Sequence, residues 1–265
     1  MIQETVEVLW NEKLGDSYYR IGLASGKAYL NARPGQFVMV RLMDQSDTLL
    51  RRPFSIHRQI RVDRGIGGIE LLYKVVGSCT EKLSRLNRGD RVDLLGPLGK
   101  GFEISLDDSR IYLVAGGIGV APLVFLSLSL KYAGISPDKC SVYLGARSKG
   151  DLLRKDVFTD LGMTLHITTD DGSAGNACLV THLLEVAVKE NPPDRIYACG
   201  PVDMLKCVKE IAQTYAVPCQ MSIEAMMACG IGACLGCAVE VREDMDIYRH
   251  VCVEGPVFDA SILKF

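Results

Sequence analysis

The 265-residue sequence predicts a multi-domain β plus α/β protein: an antiparallel barrel over residues 1–99, a parallel-sheet α/β domain over 100–217 and a small C-terminal cysteine module over 218–265. Three observations predict it. The first hundred residues hold short, alternating, β-branched runs of the kind that form half-buried strands. From Ile111 apolar strands alternate with amphipathic helices, the pattern of a parallel sheet with helical crossovers. Late in the chain Cys229, Cys234, Cys237 and Cys252 gather, with glycines between the first three.

In the barrel, strands are expected at Thr5–Trp10, Tyr18–Ala24, Gln36–Leu42, Pro53–Gln59, Ile69–Val76 and Arg91–Leu95. Arg33-Pro34-Gly35 and Gly65-Ile66-Gly67-Gly68 read as turns between them. Thr80–Leu86 alone has helical character there. Gly96-Pro97-Leu98-Gly99 reads as a linker.

In the second domain, strands are expected at Ile111–Ala115, Ser141–Gly145, Thr164–Thr168 and Arg195–Cys199, with helices starting near Ala121, Asp151, Cys178 and Val202. After Pro218 a short strand, Gln220–Glu224, leads into the cysteines. Ligands of such sheets sit outside the carboxyl ends of the strands, where the glycine-rich turns fall.

The run C-G-I-G-A-C-L-G-C at 229–237, with Cys252 beyond it, has the plant-type spacing of a [2Fe-2S] cluster. Two irons in tetrahedral sulfur sites need four thiolates. Gly230, Gly232 and Gly236 allow the tight bends that present three of them from one loop. Structural zinc accepts the same donors, although zinc ribbons usually offer two C-x-x-C hooks.

Composition narrows the function classes. A hydrophobic fraction of 48% and a formal net charge of −2 argue against a disordered or charge-driven nucleic-acid-binding protein. Ten cysteines without a signal-peptide pattern fit a reducing cytoplasm. The longest apolar stretch, Val120–Leu130, is too short for a bilayer span of about 20 residues.

Three further motifs carry chemistry. Ala115-Gly-Gly-Ile-Gly-Val-Ala-Pro122 joins a strand to a helix, and Gly116, Gly117 and Gly119 would let backbone approach a pyrophosphate, with Pro122 where a dinucleotide fingerprint has its last glycine. Cys199-Gly200-Pro201 ends another strand facing the same crevice. In the barrel, Arg51-Arg52-Pro53-Phe54-Ser55 and Leu72-Tyr73-Lys74 offer a guanidinium for phosphate, rings for a flat heterocycle and a hydroxyl for a ring nitrogen. His57, His166, His182 and His250 lack metal-ligand spacing. Cys140, Cys178, Cys207 and Cys219 read as small core residues, and Met226 and Met227 as packing residues rather than an interface.

R-P-F-S on a barrel strand, G-G-I-G-V-A-P opening a nucleotide domain and C-G-P closing it resemble the ferredoxin-NADP reductase superfamily over residues 1 to about 217. With the four cysteines and V-C-V-E-G-P-V-F around Cys252, the whole chain is similar to the electron-transfer subunits of class 1B dihydroorotate dehydrogenases. The resemblance implies an FAD-binding barrel, with Arg52, Pro53, Phe54, Ser55, Leu72, Tyr73 and Lys74 at the flavin. It also brings in Gly77-Ser78-Cys79-Thr80, where relatives have a Gly-Thr pair. Cys79 replaces the glycine, and the amide and hydroxyl of Thr80 remain candidates for the flavin diphosphate. It implies an NAD-binding domain whose exchangeable NAD+/NADH lies between Gly116, Gly117, Gly119, Pro122 and Cys199, Gly200, Pro201, with Cys199 near the nicotinamide. Asp170 and Asp171 would repel a 2′-phosphate there, favouring NAD over NADP. Cys229, Cys234, Cys237 and Cys252 are the implied ligands of the [2Fe-2S] module.

The resemblance further implies an NAD-dependent oxidoreductase subunit of pyrimidine biosynthesis, paired with an FMN-containing catalytic subunit, two copies of each, with no nucleic acid or membrane as partner. Electrons would run from dihydroorotate to that FMN, then through the cluster and FAD here to NAD+, because a flavin converts between hydride and single electrons. The alternatives are a subunit of another flavin and iron-sulfur oxidoreductase, of ferredoxin-NADP+ or sulfide dehydrogenase type, or a zinc-stabilised binding module. Some of the former carry Asp at the first cysteine position, so Cys229 favours the dihydroorotate branch.

Overall fold

The computed structural model describes residues 1–43, 49–62, 65–241 and 247–265, with the side chain of Ile66 outside the described set. Strands β1 (Ile2–Lys13), β2 (Tyr18–Leu23), β3 (Phe37–Leu42), β4 (Arg52–Val62), β5 (Gly65–Lys74) and β6 (Arg91–Leu98) close into an antiparallel barrel of order β1-β2-β5-β4-β3-β6. Val8, Ile21, Val38, Ile56, Leu71 and Leu94 fill its interior, as the period-two pattern requires.

Two expected breaks are strand instead. Gly65–Gly68 begins β5 and pairs with β4, Ile60 opposite Gly68. A Cβ at Gly68 would stand 2.1 Å from the carbonyl oxygen of Leu23, so this glycine serves close strand approach. Gly96 to Leu98 extend β6, Gly96 opposite Ile2 and Leu98 opposite Phe37. A Cβ at Gly96 would meet Val38 at 2.7 Å. The short helix α1 (Ser78–Leu83) starts before Thr80 because the Thr80 hydroxyl accepts the N–H groups of Val76 and Gly77, tying down the chain ahead of it.

The second domain runs β7 (Ile111–Gly116), α2 (Val120–Tyr132), β8 (Cys140–Ala146), α3 (Lys155–Leu161), β9 (Thr164–Thr169), α4 (Val180–Glu190), β10 (Arg195–Cys199), α5 (Val202–Thr214) and β11 (Cys219–Ser222). The final segment adds β12 (Ala238–Glu240), β13 (Tyr248–His250), α6 (Val251–Glu254) and β14 (Val257–Asp259). The helix expected near Asp151 starts only at Lys155. A 3-10 turn over Lys149–Asp151 and a left-handed Arg154, φ +56°, precede it.

Sheet order is β14-β11-β10-β7-β8-β9. All neighbours are parallel except β14, which pairs antiparallel with β11, so the expected parallel sheet has one antiparallel edge. The chain order reverses between β7 and β10, and a crevice opens at that switch point.

Helix α2 is the apolar run Val120–Leu130, and it is buried on two sides. Leu123, Val124 and Leu126 pack with the sheet, while Phe125 enters the core of the barrel. Among the described residues no helix is long and apolar enough to cross a membrane. Cys237, Val251, Cys252 and Leu263 share one apolar cluster with Leu184, Val208 and Met221 of the second domain and with Met39 and Leu98 of the barrel.

Candidate functional site

Two clefts meet at the reversal of the sheet. One, of about 440 Å³, lies against the barrel, and the other, of about 700 Å³, lies over the sheet. Lys74, Ile118, Gly119, Ile223 and Glu224 line both, so the two spaces have a common wall.

The barrel cleft gathers Arg52, Pro53, Phe54 and Ser55 of β4, Leu72, Tyr73 and Lys74 of β5, and Gly77 to Thr80 at the start of α1. Adjacent antiparallel strands bring the first two groups together. The Tyr73 ring is buried, stacked on Tyr19 at 5.7 Å and meeting Phe54 edge-on at 5.9 Å. Its hydroxyl bonds Asn11 at 3.0 Å. Tyr73 is thus fixed scaffold behind Phe54. Cys79 occupies a helical position of α1 that needs no glycine, which answers the question its sequence raised. The Thr80 hydroxyl, in contrast, donates to the Gly77 carbonyl at 2.9 Å and is committed to the loop.

The sheet cleft gathers Gly116, Gly117, Gly119, Gly200 and Pro201. Their two turns are packed backbone to backbone: a Cβ at Gly116 would stand 2.7 Å from Pro201, and one at Gly200 would stand 3.0 Å from the N of Gly116. Gly117 holds φ +53°, where glycine carries no steric penalty. Pro122 and Cys199, expected with this group, line the barrel cleft instead, because α2 and the end of β10 pass under the common wall. Burial and then the charge of Glu224 push the Cys199 thiol up to about 12, so it stays protonated.

Asp170 lines the sheet cleft, whereas the Asp171 carboxylate accepts the N–H of Ser173 at 2.9 Å and its hydroxyl at 2.6 Å. Arg147 stands on the same wall as Asp170 and was missed in the sequence. So was Cys207, which lines this cleft rather than the core. Glu224 is the third omission. It is open to solvent by surface area yet crowded enough by protein that desolvation raises its carboxyl pKa. Only a fold that ends β11 at the switch point gives that glutamate significance.

The four cysteines come together as two pairs. Cys237 and Cys252 sulfurs are 3.3 Å apart and buried, and the Cys234 N–H points to Cys229 sulfur at 3.4 Å. Gly232 N–H donates to Cys252 sulfur at 3.2 Å and Ile231 N–H to Cys229 at 3.5 Å. Burial acts against the Cys229 thiolate, but the N–H groups of Ile231, Cys234 and Ala233 and the Cys234 thiol outweigh it and bring its pKa to about 6. Four thiols gathered in two pairs with N–H donors around them fit the thiolate set that a [2Fe-2S] cluster would take.

Gly230, φ +74°, seats the cysteine loop on the barrel, where a Cβ would meet Met39 at 2.6 Å. Ala225 and Met227, just before the loop, line the barrel cleft, while Met226 is 89% exposed and does not pack. Met226, Ile231, Leu235 and Val253, all within the cysteine module, are exposed apolar side chains, and Cys234 is exposed as well.

Comparison with known proteins agrees with this arrangement. Residues 11–102 match an oxidoreductase FAD-binding domain, 113–210 an oxidoreductase NAD-binding domain, and 224–264 the iron-sulfur cluster binding domain of dihydroorotate dehydrogenase B. The electron transfer subunit of dihydroorotate dehydrogenase B (NAD(+)) from Desulforamulus reducens is 44% identical over 86% of this chain and 85% of its own. That from Caldanaerobacter subterraneus subsp. tengcongensis is 40% identical over 97% of both. Among solved structures, an NADH-dependent reduced ferredoxin-NADP oxidoreductase superposes with TM-score 0.84 at 29% identity, over 98% of this chain and 89% of that one. A ferredoxin NADP+ reductase from Neisseria gonorrhoeae shares the fold, with TM-score 0.67 at 16% identity over 80% of this chain and 91% of that one.

Proposed function

The chain belongs to the family of dihydroorotate dehydrogenase B electron transfer subunits, and from that premise we propose that it carries electrons between the FMN of a dihydroorotate-oxidising catalytic subunit and NAD+, in cytoplasmic pyrimidine biosynthesis. The observation that carries this reading is the common wall of the two clefts, with the cysteine loop following directly on Ala225 and Met227 of the barrel cleft.

Residues 1–99 would form the flavin domain, 100–217 the body of the nucleotide domain and 218–265 the cluster module, which also completes the nucleotide domain's sheet with β11 and β14. Arg52 to Ser55, Leu72 to Lys74 and Gly77 to Thr80 would hold FAD. Gly116, Gly117, Gly119, Gly200 and Pro201 would hold NAD, and Cys229, Cys234, Cys237 and Cys252 the [2Fe-2S] cluster. Bound FAD supplies hydride exchange with nicotinamide on one side and single-electron exchange with the cluster on the other.

The protein's own groups prepare that exchange. Gly119 and the Cys199-Gly200-Pro201 turn bring the two clefts within one wall thickness, which sets proximity. Lys74 and Glu224 are the ionisable side chains of that wall and Ile118 and Ile223 its apolar ones, while the protonated Cys199 thiol adds no charge to the barrel cleft beside it. Glu224, with its raised pKa, can hold a proton at its carboxyl beside both spaces. The exposed apolar side chains of the cysteine module, Met226, Ile231, Leu235 and Val253, suit a stable protein partner, for which two copies of each subunit is our reading.

The test is electron flow in two parts. The purified subunit should reduce an artificial dye with NADH only when FAD is bound. Cys234→Ser should keep that activity and lose transfer to the catalytic subunit. Dye reduction without FAD, or full coupled activity in Cys234→Ser, overturns the scheme. A second reading, a subunit of another flavin and iron-sulfur oxidoreductase, draws on the 0.84 superposition. It predicts no rate gain from dihydroorotate plus its dehydrogenase subunit.

A further inference from the structure

His57 lies two residues beyond Ser55 on β4, on the same side of the strand, and is fully buried where the barrel meets α2. Its Nδ1 is 2.9 Å from the carbonyl oxygen of Ala121, and its Nε2 is 2.6 Å from Nη1 of Arg154. A guanidinium only donates, so Nε2 accepts and the ring proton sits on Nδ1, donated to Ala121. Burial, and then the charge of Arg154, bring the His57 pKa down to about 3, which favours the neutral ring that the two contacts require.

The ring therefore joins three segments. Ala121 opens α2 directly after Gly116–Gly119 and itself lines the barrel cleft. Arg154, in its left-handed conformation, follows the turn whose Asp151 lines the sheet cleft and accepts the Tyr18 hydroxyl at 2.9 Å. Behind them the buried carboxylate of Glu70 holds Arg154 at 3.4 Å and Arg58 at 2.9 Å. Phe125 supplies apolar adhesion between α2 and the barrel, but adhesion is non-directional; the Ala121 bond fixes how far α2 slides along β4.

We propose that His57 is a positioning residue for hydride exchange: by bonding the Ala121 carbonyl it sets the glycine turn, and through the pyrophosphate held there the dinucleotide, in register with the flavin-side strand. This rests on the cleft assignments above. No atom of His57 touches either cofactor's space. Its effect is geometric, and small displacements of reacting groups cost rate steeply.

The test uses the full-length protein loaded with FAD and cluster, with His57→Leu, His57→Gln and His57→Asn. Asparagine places an N–H where Nδ1 stands and keeps the Ala121 bond; the other two do not. Flavin reduction by NADH is followed by stopped flow, with the long-wavelength nicotinamide–flavin charge-transfer absorbance, NAD+ affinity by calorimetry, flavin content and thermal midpoint. Leucine and glutamine should slow flavin reduction by ~10-fold or more and diminish the charge-transfer absorbance, with FAD retained. Asparagine should stay within ~3-fold of the parent. Parent-like rates in His57→Leu, or equal loss in all three tracking a fall in flavin content and thermal midpoint, overturn the proposal. Absence of NADH reduction and NAD+ binding in the parent overturns the cleft assignments themselves.

Discussion

A methyl group on Gly119 would stand 2.2 Å from the carbonyl oxygen of Cys199. Backbone cannot yield as a flexible side chain does, so Gly119→Ala must part the two turns that divide the clefts. Overpacking of this kind costs about 1–3 kcal/mol. The expected outcome is a lower thermal midpoint and NADH KM raised ~10-fold or more, read by melting and by dye-reduction kinetics.

Gly230 makes the corresponding contact for the cysteine loop. At φ +74° and 2.6 Å from Met39, alanine is both strained and obstructed. Gly230→Ala should lower the iron and sulfide bound per chain while flavin content holds, measured by iron assay and visible absorbance. Equal loss of both cofactors would contradict the seating of the loop on the barrel.

Glu224 stands on both cleft walls with its carboxyl pKa raised by desolvation. Glu224→Gln preserves shape and removes the proton store, so kcat for NADH-dependent dye reduction should fall by ~10-fold to 100-fold at nearly constant KM. The high-pH limb of the parent's kcat profile, which reports loss of that proton, should vanish in the variant.

Asp93 is buried in the barrel. Burial opposes its charge, but Arg51 Nε at 2.6 Å and Gln3 at 2.7 Å hold its carboxyl below the ordinary range. A depressed folded pKa means that the unfolded chain takes up the proton first. The stabilisation is complete above the unfolded value near 4 and is lost as pH falls through the folded one. Asp93→Asn should cost about 2 kcal/mol at pH 7 and flatten stability against pH below about 4, measured by urea unfolding across pH.

Met226, just before the cysteine loop, and Leu235, next to Cys234, are 89% and 59% exposed. Replacing either with Glu should raise the dissociation constant for the catalytic subunit by ~10-fold or more and leave NADH-dependent dye reduction unchanged. Analytical ultracentrifugation and parallel assays separate the two effects.

Much of this was legible in the sequence because period, spacing and turn chemistry are local. The barrel strands, the β7-to-α2 turn and the four cysteines each follow from a short window of residues. What escaped depends on approach in space. Gly68 looked like a turn residue and Gly96 like part of a linker, yet they are glycines because Leu23 and Val38 crowd them. Thr80 carries a hydroxyl suited to phosphate, yet the loop before it claims that hydroxyl first. Glu224 and Arg147 sit in no motif, and only the meeting of β11, β8 and the glycine turns gives them a cleft to line.

The pairing of β14 with β11 bears on how such a chain could be dissected or recombined. Both strands lie beyond residue 217, so a reductase cut there to shed its cluster would also shed two strands of its own sheet. β10, with Ile196 and Ala198 buried, would become a bare edge inviting self-association. The iron-sulfur segment is therefore no cassette for swapping between reductases. A functional chimera must carry its sheet edge along with it.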